Sequence, residues 1–162
     1  MIGDFVILEN ASTGGRGSRR CLVAAGAVST IINPGEPVIR VLGAAVVTQL
    51  LTNTPVVGTT SVVGIAETTS TQTTTAAGEV FVTPTDNKIT WLVSPTVAAT
   101  FDTQAKYDAL VGARVVIDLT AGKYTVLAAD NSTYGLVIMP LDVSKYPGKV
   151  AVAFRSGVSD LA

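Results

Sequence analysis

The sequence predicts an all-β fold, a single-domain β-sandwich or β-barrel with an extended N-terminal arm and at most one short helix. Three observations predict it. Apolar and polar residues alternate in short runs: in Lys88–Val93, Ile89, Trp91 and Val93 share one face and Lys88 and Thr90 the other. Turn residues such as Asn33-Pro34-Gly35 and Tyr146-Pro147-Gly148 separate the runs at strand-like intervals. Even Ala44–Leu51, which could form a short helix, holds the β-branched Val46, Val47 and Thr48, which favour extension.

Residues 1–20 read as an arm, either a frayed terminus or a basic arm that orders on an acidic partner surface, and residues 21–162 as the β-rich domain. Within the arm, Phe5–Leu8 has the composition of a short strand. Ala11–Arg20, ASTGGRGSRR, has no periodicity and too little apolar area to offset its ordering entropy, so mobility is expected there. In the domain, Pro34 fixes one backbone angle and Gly35 supplies a positive one, turning the chain into a strand over Val38–Leu42. Thr54-Pro55 marks a further turn.

The stretch from Ser61 to Pro95 is the centre of the pattern. Strands are expected over Val62–Ala66, Glu79–Thr83 and Lys88–Val93, with a Thr/Ser tract, Thr68–Thr75, and a turn at Thr85-Asp86-Asn87 between them. The tract reads as a mobile loop or a polar edge strand whose hydroxyls satisfy its own backbone, or as a loop pairing with a neighbour's sheet edge. Asp102 is expected to cap a helix over Thr103–Leu110, with Tyr107 and Leu110 facing inward. Arg114–Thr120 and Lys123–Leu127 form a hairpin across Ala121-Gly122, with Val115, Ile117 and Leu119 on one face. Asp130-Asn131-Ser132 turns into Tyr134–Leu141, an apolar strand expected in mid-sheet. In Lys149–Arg155, Val150, Val152 and Phe154 oppose Lys149, Ala151, Ala153 and Arg155.

Hydrophobic residues make up 48% of the 162 and charged residues 14%, with net charge −1. A chain this poor in charge spans a membrane, binds one, or covers its apolar surface with other subunits. The longest apolar stretches, Cys21–Ile32 and Val41–Leu51, reach about half the length a membrane helix needs, and the start lacks the basic region of a secretory signal. Subunit association is therefore the expectation. The balance of 11 basic against 12 acidic residues makes no electrostatic case for nucleic acid. An RNA-binding arm is a weaker alternative, since no aromatic residue interleaves with its arginines. Cys21, alone in an apolar run, reads as a buried thiol.

Chemistry is sparse. The chain has no histidine, which removes Ser-His-Asp and Cys-His nucleophile systems and the usual zinc sites. No nucleophile elbow, phosphate loop or calcium loop occurs. Asp86, Asp130 and Asp142 sit beside turn residues, where carboxylates cap backbone groups. Asn10-Ala11-Ser12 and Asn131-Ser132-Thr133 match the glycosylation pattern without a secretory signal, and are read as coincidence. No catalytic, cofactor or metal residue is assigned, and no enzyme activity is expected.

The candidate partner-binding residues are Phe5, Val6, Ile7, Leu8, Arg16, Arg19 and Arg20. Ordering an arm costs about 1–2 kcal/mol per residue and exposed ion pairs return about 0–1 kcal/mol each. The apolar four must therefore bind by burial or strand addition while the arginines orient them. Removing residues 1–20 is expected to leave the domain folded and weaken attachment.

The run Val63-Gly64-Ile65-Ala66, the Thr/Ala/Gly tract and Gly78-Glu79-Val80-Phe81-Val82 resemble the small capsid decoration (cement) proteins of tailed bacteriophages. Val111–Val115, Gly122–Val126, Tyr134–Ile138 and the turn Gly35-Glu36-Pro37-Val38 are similar to further parts of such proteins. The likeness runs from about Asn33 to Arg155, and the Gly/Arg-rich arm has no counterpart in it. It implies a structural virion protein that binds the major capsid protein on the outer surface of the head. Such a protein often forms homotrimers, fastens neighbouring capsomers, and resides in the host cytoplasm during assembly. The competing readings are a carbohydrate- or receptor-binding β-module of a tail or fibre, and a hydrolase using paired carboxylates. The only tryptophan, Trp91, lies on an apolar strand face, which favours a core role over a sugar platform.

Overall fold

A computed structural model of the chain describes residues 5–10, 17–26, 31–41, 43–50, 60–85, 88–128 and 135–155. The expected turns at Thr54-Pro55 and Asp130-Asn131-Ser132, together with Asp86, Asn87 and Arg16, lie outside those residues.

The fold is all-β, with two antiparallel sheets. The five-stranded sheet contains β2 (Arg19–Val23), β3 (Pro37–Val41), β4 (Thr48–Gln49), β5 (Thr60–Ala66) and β6 (Gly78–Pro84), in the order β2-β6-β5-β3-β4. The six-stranded sheet contains β1 (Val6–Asn10), β7 (Ile89–Val93), β8 (Arg114–Thr120), β9 (Lys123–Leu127), β10 (Leu136–Ile138) and β11 (Val150–Phe154). Its order is β1-β7-β11-β10-β8-β9. The described parts of the arm expected over residues 1–20 are paired into the sheets. β1 is part of the second sheet, and β2 crosses the expected boundary at residue 20 to lie in the first. Backbone pairing with distant strands supplies the ordering that the local composition cannot.

Each sheet curls back on itself through a parallel bridge. The Val47 N–H donates to the Leu22 carbonyl at 2.8 Å, bringing the approach to β4 against β2. In the other sheet the Val126 N–H donates to Ser94 O at 3.0 Å and Val126 O accepts from the Thr96 N–H at 2.9 Å. β9 thus returns to the end of β7, and five strands form a small barrel with β1 added on the outside of β7. The bridges partly close both sheets, and β1 remains an edge strand. The first bridge also shortens the strand expected over Ala44–Leu51 to Thr48–Gln49, because Val47 is drawn across to β2.

One core, with Cys21, Val38, Val63, Val80 and Val82, lies on one side of the five-stranded sheet. The larger core lies within the six-stranded sheet, with Trp91, Ile117, Tyr124, Leu136, Val152 and Phe154. β5 serves both through a bulge: its register against β3 steps from Val38↔Gly64 to Ile39↔Val62, leaving Val63 as the extra residue. Val62 and Ile65 then face the larger core, Val63 and Ala66 the smaller. Only glycine fits beside the bulge, since a Cβ at Gly64 would lie 2.4 Å from the Thr83 carbonyl oxygen.

The turns follow the sequence closely. Glu36 N–H donates to Asn33 O at 3.1 Å and Lys149 N–H to Tyr146 O at 3.2 Å, with Gly35 at φ 81° and Gly148 at φ 70°. Both have the Pro-Gly chemistry of a type II turn. Ala121 at φ 52° and Gly122 at φ 76° make the tight β8–β9 hairpin. Three expectations need correction. The helix is α1 (Gln104–Asp108), and its cap is Thr103, because the Asp102 carboxylate instead pairs with Lys106 Nζ at 2.7 Å. β10 does lie in mid-sheet but stops at Ile138, with Pro140 and its missing N–H shortly beyond. Ala151 and Ala153 are buried like their neighbours, because β11 lies between β7 and β10.

Tyr107 of α1 reaches the larger core. Its hydroxyl donates to Met139 O and accepts from the Ala151 N–H, both at 2.9 Å. Burial pushes this phenol up to about 12; the Ala151 donation opposes the shift and the Asp108 charge adds to it. Because the folded value lies above the unfolded one, the unfolded chain releases this proton first. Stability is therefore expected to hold up to about pH 10 and to fall between about pH 10 and 12. Tyr107→Phe should cost about 1–3 kcal/mol at neutral pH, leaving the Ala151 N–H unpaired, and should reduce the alkaline fall. Urea melts of both proteins at a series of alkaline pH values measure this. Equal slopes with pH would contradict it.

Candidate interaction surface

The seven candidate residues divide between the two sheets. Phe5 is 5% exposed and packs edge-on against Trp91, with ring centroids 6.4 Å apart, and beside Phe154 at 6.2 Å. It is an anchor for β1 within the core. Val6 and Ile7, on the same strand, are 59% and 42% exposed, while Leu8 is partly buried against the core. β1 pairs with β7 from Val6↔Leu92 to Asn10↔Ile89. Among the described residues β7 is its only strand partner. An apolar strand exposing side chains on both faces at a sheet edge is suited to being covered by another chain.

The arginines lie elsewhere. Arg19 stands opposite Val82 and Arg20 opposite Phe81 in the β2–β6 ladder, and the Arg20 guanidinium pairs with the Glu79 carboxylate. Beside them the sequence reading missed two exposed apolar residues, Leu22 at 53% and Phe81 at 36%. The available signal was in RRCLV: Arg20 and Leu22 share the phase opposite to Cys21 and Val23, so a leucine stands in the polar phase. With Glu79 and Phe81 these residues make a mixed outer face on the five-stranded sheet.

The Thr/Ser tract lies against β6, and its hydroxyls complete backbone bonds. Thr71 Oγ1 accepts from the Glu79 N–H at 3.0 Å and Thr68 Oγ1 from the Phe81 N–H at 3.1 Å. Ser70 Oγ accepts from the Ile32 N–H at 2.8 Å while Ser70 N–H donates to Ile32 O at 2.9 Å. The hydroxyls bond the backbone of neighbouring segments as well as that of the tract itself.

Among the described residues two carboxylates are buried. Glu36 accepts from the Asn33 N–H at 3.0 Å and from Gln49 Nε2 at 2.5 Å, next to the joint where Tyr124 OH donates to Leu50 O at 2.6 Å. Burial pushes the Tyr124 phenol well above its ordinary range, and the Glu36 charge adds to this. Asp118, on the strand phase opposite Val115 and Ile117, is buried, with Oδ2 accepting from Thr96 Oγ1 at 3.1 Å and Thr120 Oγ1 at 2.7 Å. Both are integrated into hydrogen-bond sets that join structural segments. Asp142 Oδ1 accepts from the Ser144 N–H and hydroxyl at 3.0 and 2.6 Å, capping its turn as expected; these bonds hold its carboxyl below the usual range. Among the described residues, no group of three or more His, Cys, Asp or Glu side chains is placed to hold a metal ion. No described helix is long and apolar enough to cross a membrane.

An open depression at one end of the five-stranded sheet is lined by residues such as Val23, Ala24, Ala44, Val46 and Val47, with no titratable side chain among its described lining. The described surface thus offers exposed apolar side chains, an edge strand and a few charges. No protein-family model, curated protein or solved structure matches the chain.

Proposed function

We propose that the chain is a structural virion protein, a decoration protein that binds the major capsid protein on the outer surface of a phage head and fastens neighbouring capsomers, associating with itself as a trimer. The observation that carries this reading is the exposed apolar edge strand: Val6 and Ile7 face outward on opposite sides of β1 while Phe5 fixes it to the core. The low charge fraction and the sequence resemblance support the same reading. It assigns no catalytic step and no cofactor. Burial of Trp91 leaves a sugar-binding reading without its tryptophan platform.

Deletion of residues 1–20 is too blunt a test, since it removes Phe5 from the core and part of β2 from its ladder. The informative variant is Val6→Ser with Ile7→Ser. Both residues are exposed, so stability should change by about 0.5 kcal/mol or less per site. Co-sedimentation with phage heads stripped of decoration protein should show affinity reduced roughly tenfold or more, as when a central apolar contact is lost. Arg19→Ala with Arg20→Ala should weaken attachment less, and chiefly at low salt, where screening is small. Unchanged co-sedimentation of the Val6/Ile7 variant would contradict the assignment of β1 to the contact.

A further inference from the structure

We propose that β1 is an exchangeable strand: the seat along β7 that holds it also accepts the same strand from a second copy of the chain. The inference rests on the self-association in the reading above and is independent of any shell.

β1 is held at one place. Its ladder to β7 consists of Val6↔Leu92, Ile7↔Trp91, Glu9↔Thr90 and Asn10↔Ile89, interrupted by an irregularity between Ile7 and Glu9. Its side-chain anchors are Phe5, against Trp91 and Phe154, and the partly buried Leu8. The next strand in sequence, β2, pairs with β6 in the other sheet, and among the described residues no ladder joins β1 to β2. All these contacts are made to residues far away in sequence. A second copy's residues 5–10 therefore reproduce each of them, and the two arrangements differ only in the connection.

That connection suits exchange. Ala11 to Gly17 reads ASTGGRG, and the next residue, Ser18, is fixed by its hydroxyl bond to Glu67 on the five-stranded sheet. At Gly17 an added Cβ would meet nothing, so the described end of the connection is open. Seven extended residues span on the order of 25 Å, enough to cross to a neighbouring subunit. Val6 and Ile7 are poorly covered by their own chain.

The test uses full-length chains carrying Val6→Cys or Leu92→Cys, residues that face each other across the β1–β7 ladder. The native Cys21 is buried, and unsubstituted protein serves as the reagent control. The two variants are mixed, incubated and treated with a short bis-maleimide. Exchange predicts a covalent dimer in the mixture well above its level in either variant alone. The double variant in one chain should give linked dimers or larger species as well as internally linked monomer. The proposal is overturned if the double variant links only within the chain and the mixture forms no dimer. It is equally overturned if the double variant forms no link at all, because residues 6 and 92 would then not be neighbours. Light scattering on the same samples separates the two failures: an oligomer without cross-chain links sinks exchange alone, and a monomer sinks self-association too.

Discussion

Trp91→Ala is expected to destabilise the protein by about 3–5 kcal/mol, the range for truncating a buried Trp, and to lower the melting temperature by on the order of 10 °C. Trp91 is 2% exposed and sits between β1 and β11, opposite Ile7 on one side and Val152 on the other. It also carries the Phe5 ring, so its loss releases the anchor of β1 as well as opening a cavity. Its indole N–H is buried and finds no acceptor among the described residues, a desolvation cost of about 1–3 kcal/mol that phenylalanine would remove. Trp91→Phe should therefore cost far less than Trp91→Ala, since the lost volume is partly offset. Denaturant melts of the three proteins measure both differences. An unchanged midpoint for Trp91→Ala would show that the residue is not a core element.

Gly78→Ala is expected to be nearly as costly, although it removes no contact. A Cβ at Gly78 would lie 2.1 Å from Gln72 N, 2.5 Å from Thr71 C and 2.6 Å from Gln72 Cα, all backbone atoms that no rotamer change can move aside. Either β6 or the Thr/Ser tract must shift. Lifting the tract breaks the Thr71–Glu79 bonds and the Ser70–Ile32 pair, and exposes the buried Gln72 side chain. With each hydrogen bond contributing about 1 kcal/mol net, a loss of about 3–5 kcal/mol follows. The control is Gly17→Ala, where an added Cβ meets nothing and a change within about 0.5 kcal/mol is expected. Amide exchange at Glu79 and Phe81 should accelerate in Gly78→Ala. Unaltered protection there would mean that the tract does not depend on the close approach.

Elements set by neighbours in sequence were legible. The two Pro-Gly turns, the Ala121-Gly122 hairpin and the inward face of β7 follow from local angles and alternation. Elements set by distant partners were not. The Gly/Arg-rich segment has no pattern of its own, yet its end becomes β2 because β6 offers a ladder from Gly78 to Val82. Asp118 keeps the polar phase of β8 but is buried because Thr96 and Thr120 come to it. The parallel bridges that curl each sheet join residues 24 and 31 positions apart, with no local signature. Of the candidate surface, Val6 and Ile7 are exposed on β1, whereas Phe5 is a core anchor and the described arginines lie in the other sheet, placements set by distant strands that the local sequence does not encode.

The central claim is that exposed apolar surface on this charge-poor chain serves assembly. The most direct measurement is its mass by light scattering at micromolar concentration, alone and after addition of stripped phage heads. The account predicts a trimer mass in free solution and retention of the protein on the heads. A monomer mass that persists alone and in the presence of heads would contradict it.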